Sequence, residues 1–85
     1  MKQIVEYYIG TMCDMVIPIP EGYKVLHVGE RENETFLWAE VDYDNPVVNI
    51  EVKLVGTNTF VEDNMEYIDS IHMSPGLIWH VYLVR

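Results

Sequence analysis

Eighty-five residues make a single domain, and 49% hydrophobic residues with 12% aromatics supply ample apolar material. Five Lys and Arg against fourteen Asp and Glu leave a net charge of -9, which repels phosphate backbones and excludes ordinary DNA or RNA backbone binding. One cysteine, Cys13, excludes an intrachain disulfide and a cysteine zinc cluster, and no apolar run approaches the roughly 18 residues of a membrane span.

Period two dominates the chain. Lys2–Ile9, rich in Tyr and β-branched residues, reads as a first strand. Met12–Ile17 reads as a short second strand. Pro18-Ile19-Pro20-Glu21-Gly22 is expected to be a turn or an edge segment, because proline has no N–H to donate. Tyr23–Gly29 is a third strand, Glu30–Glu34 a charged hairpin loop and Thr35–Asp42 a fourth strand. Tyr43-Asp44-Asn45-Pro46 is a turn signal.

Val47–Val55 alternates cleanly, with Val48, Ile50, Val52 and Leu54 on one face and Asn49, Glu51 and Lys53 on the other. Residues 56–64 are expected to loop, with an extended piece at Thr59–Val61. Met65–Met73 is a strand, and Ser74-Pro75-Gly76 turns the chain into the last one. Glu62–Ile71 is the one place where a single helical turn fits. The reading is all-β, about seven antiparallel strands in a small sandwich or partly open barrel. Short connections predict that strands adjacent in sequence pair in space.

The last segment, Gly76–Arg85, is apolar on both faces, interrupted only by His80. It is expected to be a central strand of two layers, or to bury one face against another copy. A chain of this size buries only about 60–65% of its unfolded surface. With so many apolar residues, a homo-oligomer that completes the core is expected.

Three histidines are the candidate metal ligands. If residues of the final hairpin summing to 151 pair, His72 and His80 project to opposite sides and cannot share an ion. A three-residue turn would put them on one face. No zinc-type spacing occurs, and no metal or cofactor is expected. In the first register, Asp69 and Tyr82 lie near His80 as a polar network. No Ser or Cys is placed by motif as a nucleophile, Cys13 has no identifiable base, and no enzymatic activity is expected. Glu40, Asp42 and Asp44 recur at period two and read as a solvated sheet edge.

The ten aromatics exceed what so small a core encloses. Trp38 shares its strand face with Phe36 and Glu40. Aromatic surface of this kind supports an oligomer interface or a stacking pocket. The candidate ligand-binding residues are Trp38 and Trp79 for stacking, Arg31 and Lys24 for charge, and His80; Lys53 and Arg85 are further cations.

Several short pieces carry a resemblance. They are the proline-containing turn before Gly22-Tyr23-Lys24-Val25-Leu26, then Leu37-Trp38-Ala39-Glu40-Val41-Asp42, Val55-Gly56-Thr57 and Tyr67-Ile68-Asp69-Ser70-Ile71. The last is Gly76 followed by Trp79-His80-Val81-Tyr82. Together they resemble a family of small phage and prophage proteins without an assigned activity. The resemblance implies a phage accessory product acting in the host bacterial cytoplasm. Lack of a leader-like N-terminus and of disulfides fits a reducing interior. The expected function is non-catalytic: antagonism of host defence by sequestering a small, nucleotide-type signalling molecule in a homo-oligomer. The alternatives are an acidic inhibitor docking on a host defence protein, or a virion or assembly component.

Overall fold

The computed structural model describes residues 1–10, 14–73 and 75–85. Seven strands form two antiparallel sheets packed face to face, and no helix occurs among the described residues. They are β1 (Lys2–Gly10), β2 (Asp14–Pro20), β3 (Lys24–Arg31), β4 (Glu34–Asp42), β5 (Val47–Gly56), β6 (Met65–Met73) and β7 (Leu77–Val84). The three-stranded sheet runs β1-β4-β3 and the four-stranded sheet β2-β5-β7-β6. The two do not close into a barrel, so the fold is a small sandwich.

Alternation builds the core. Ile9, Val28, Leu37, Ala39 and Val41 point inward from the first sheet, and Ile17, Ile19, Val52, Leu54, Ile71, Val81 and Leu83 meet them from the second. Leu37, Ala39, Ile19 and Val81 have no exposed surface. Each fully buried aliphatic side chain of this kind contributes about 1.5–3 kcal/mol. The one buried polar side chain among the described residues, Thr35, donates its hydroxyl to the Gly10 carbonyl. That bond satisfies a group that would otherwise be costly to bury.

Most strand boundaries fall where the alternation predicts, with corrections at the connections. Pro18 and Pro20 take the edge-segment alternative, not the turn: the second strand runs on through them, paired with Asn49 and Val47. This is permitted because β2 is an edge strand with one side free of partners. Met12 and Cys13 lie outside the described residues. The charged hairpin shrinks to Glu32-Asn33, both at positive φ (55° and 65°), the geometry of a two-residue turn between twisted strands. Thr59–Val61 is not a strand, and residues 62–71 hold no helical turn.

Among the described strands, sequence neighbours pair only in the β3-β4 and β6-β7 hairpins. The connections after β1, β2 and β4 change sheet, and β7 inserts between β5 and β6. Loop 57–64 therefore passes across β7. This accounts for the doubly apolar final strand: β7 is internal to its sheet, and its neighbour Val55, on the face away from the core, is still only 8% exposed. Its hairpin partner β6 is an edge.

Candidate functional site

The outward face of the β1-β4-β3 sheet is the first candidate. Cross-strand partners share a face, so register defines it. Glu6, Trp38 and His27 form one row; Tyr8, Phe36 and Gly29 form the next; Ile4, Glu40 and Lys24 form the row on the other side. Gly29 contributes no side chain, and the His27 and Trp38 rings lean over its backbone. They stack with centroids 5.3 Å apart and planes 29° apart. Phe36 packs edge-on against Tyr8 at 5.6 Å, and the Arg31 guanidinium sits 4.5 Å above the Phe36 ring. Arg31 also donates to Glu6 at 2.9 Å. Phe36 is thus only 8% exposed on the outside of its sheet.

Charge on this face differs from the rest of the molecule. Lys2, Lys24 and Arg31 share it with Glu6, Glu34, Glu40 and Asp42. Three of the five cations are here but only four of the fourteen carboxylates. The face is nearly balanced on a strongly acidic protein. Glu40 and Asp42 are not on a solvated edge, because β4 is the middle strand. Glu40 pairs with Lys2 at 3.5 Å, and Asp42 accepts from the Asp44 N–H at 3.0 Å. That bond, with the N-terminal ammonium and Lys2 nearby, holds the Asp42 carboxyl below its usual range.

The candidate residues therefore divide. Trp38, Arg31 and Lys24 share this face. Trp79 and His80 belong to the other sheet. Sequence reasoning missed His27, Gly29 and Tyr8. A bulge at Leu26, between Val25 and His27, shifts β3 by one residue and brings His27 beside Trp38. Nothing in the alternation announces that bulge.

His80 lies in a different network from the one expected. Met73 pairs with Leu77, so Ser70 faces His80 and His72 faces Ile78. This is the three-residue turn, and it places His72 and His80 on one face. His80 Nδ1 lies 2.9 Å from the Ser70 hydroxyl, and Nε2 lies 3.0 Å from the Thr57 hydroxyl. Ser70 in turn lies 2.8 Å from the Tyr67 hydroxyl. Asp69 instead accepts from the Ser70 N–H at 2.8 Å, and Tyr82 packs edge-on against Tyr67 at 5.5 Å. Each imidazole nitrogen meets a hydroxyl that can donate or accept, so either tautomer is satisfied. The network joins β6, β7 and loop 57–64.

Trp79 is half-buried beside Gly56, its partner on β5. With Leu54, Val55, Met65 and Phe60 it lines a cleft of about 420 Å³, rimmed by Asp14 and Glu62. Among the described residues no three His, Cys, Asp or Glu side chains converge as metal ligands. Among the described residues no helix is long and apolar enough to cross a membrane.

A family match covers residues 1–85. The chain belongs to the DUF7352 family, a domain of unknown function. No curated protein matches it. No solved structure matches it either. The DUF7352 match spans both sheets, so the aromatic face and the His80 network lie within the one family domain.

Proposed function

We propose that this DUF7352 chain is a non-catalytic binding protein. It sequesters a small, ring-bearing anion of nucleotide type on the outward face of β1-β4-β3. The observation that carries this reading is the convergence of Trp38, His27, Arg31 and Lys24 on one nearly charge-balanced face of an acidic molecule. Stacked aromatic rings attract a flat heterocycle, and adjacent cations attract its charged substituent. Glu6 pairs with Arg31 and Glu40 with Lys2, and these carboxylates limit the total negative charge the face can accept. That favours a ligand with one or two negative charges over a polyphosphate.

The face is the outer side of a three-stranded sheet, so a lone chain covers only one side of a ligand. A second copy laid over it would enclose the ligand and cover Ile4 and Tyr8, which are 65% and 43% exposed. The resemblance to small phage proteins gives the reading a setting. The bound molecule would be a host defence signal, held in an oligomer in the bacterial cytoplasm.

Native mass spectrometry of gently purified protein tests this directly. The expected species is an oligomer retaining a mass in the nucleotide range. Trp38→Ala should lower affinity for that compound at least tenfold with the fold intact. An adduct-free monomer whose Trp38 emission ignores a panel of mononucleotides and cyclic nucleotides overturns the reading.

A further inference from the structure

The opposite sheet carries an anomaly that ligand sequestration leaves unused. Phe60 is 98% exposed, on a loop whose other residues are polar apart from Val61. The loop is fastened at both ends. Thr57 bonds to His80 at its start. At its end Met65 N–H donates to the Glu62 carbonyl at 3.1 Å, and Arg85 N–H donates to the Asn64 carbonyl at 2.7 Å. Asn58 takes positive φ (69°), a conformation Asn tolerates, and this reverses the chain just before Phe60. Phe60 is thus held out at the mouth of the cleft it shares with Trp79, Leu54 and Met65.

We infer that this cleft is a docking site for an extended segment of another protein, one that carries a large apolar side chain next to Lys or Arg. The apolar floor takes the anchor. The rim supplies the charge: Asp14 and Glu62 border the cleft, Asp63 follows in the loop, and residues 57–64 contain no cation. Lys53 is the one cation in the lining and lies opposite Asp14 across the β2-β5 ladder. The loop that carries Phe60 is anchored at Thr57 and at residues 62–65, which limits the chain ordering that binding requires. A second copy of this chain fits the rim poorly. It has fourteen carboxylates against five cations, so a second copy brings like charge to an acidic rim. The inference is independent of the ligand reading, because Trp38 and its neighbours lie on the other sheet.

The test selects peptides from a randomised display library on the folded full chain, then measures hits on Phe60→Ala and Glu62→Lys. Trp79 serves as reporter in a Trp38→Phe background, where it is the sole tryptophan. Enriched peptides should pair an apolar residue with Lys or Arg and shift Trp79 emission. They should bind Phe60→Ala and Glu62→Lys at least tenfold more weakly, while the melting temperature of Phe60→Ala stays within about 2 °C of the parent. Three outcomes overturn the inference. One is no enrichment. Another is enrichment of acidic peptides, or of peptides indifferent to Phe60→Ala. The third is self-association that Phe60→Ala abolishes, which would make the occupant a second copy.

Discussion

His80 Nε2 lies 3.0 Å from the Thr57 hydroxyl, and this contact pins the start of loop 57–64 to a strand that the loop crosses. The other ring nitrogen is held by Ser70, so the imidazole cannot rotate without losing both partners. A histidine in an otherwise apolar strand is thereby explained: it fastens the connection between β5 and β6.

Removing that fastening has a measurable consequence. A net hydrogen bond contributes about 0.5–1.5 kcal/mol, at the lower end where one side faces water. His80→Phe keeps the ring and removes both bonds. It should cost about 1 kcal/mol, a fall of about 4–8 °C in melting temperature for a domain of this size. Thr57→Val should cost about half as much. In both, amide exchange at residues 58–61 should accelerate more than in β4 or β5. Uniform acceleration across the domain would show that His80 supports the sandwich as a whole and does not hold the loop in particular.

Most of the fold was legible because one face of nearly every strand is buried. Val48, Ile50, Val52 and Leu54 announce β5 by alternation alone, and Leu37, Ala39 and Val41 do the same for β4. The order of strands was not legible. Alternation says which face a residue takes and nothing about which edge a strand joins, so the sheet changes after β1, β2 and β4 left no mark. Register was lost for a related reason. The extra residue in the turn after Met73, and the bulges at Leu26 and Ile68, each move a side chain across a face without altering composition. Trp38, Arg31 and Lys24 could be grouped from their chemistry. His27 could not join them, nor Ser70 and Thr57 join His80, until those irregularities were known.

Gly29 is the most informative position on the aromatic face. A Cβ there would lie 3.0 Å from His27 Nε2 and 3.5 Å from a ring carbon of Trp38. The backbone is not in the left-handed region, so alanine brings steric conflict without strain in φ. His27 is exposed, and its ring end can swing aside. Stability should therefore change by less than about 0.5 kcal/mol, since alanine also loses less chain entropy in a strand. The stack with Trp38 should open. In a Trp79→Phe background, Gly29→Ala should change Trp38 emission and its sensitivity to iodide quenching, and should weaken any ligand that stacks there. An emission spectrum identical to the parent's would mean the stack does not persist in solution.

Two displaced titrations act on stability at opposite ends of the pH scale. Asp42 is held below its ordinary value of 3.8, first by the Asp44 N–H and then by the N-terminal ammonium and Lys2, against a smaller opposing effect of burial. Its folded state binds its proton less readily than the unfolded state. Its contribution is therefore present above 3.8 and lost as pH falls through the lowered folded value. Tyr7 is raised above 10.0, chiefly by burial and then by the neighbouring Tyr43. Its folded state keeps the proton longer. That contribution is complete below 10.0 and lost as pH rises through the raised value. Chemical denaturation across pH should show both limbs. Asp42→Asn should flatten the acid limb and leave the alkaline limb alone, and Tyr7→Phe should do the reverse. Superimposable limbs for parent and variant at either end would remove the corresponding residue from the account.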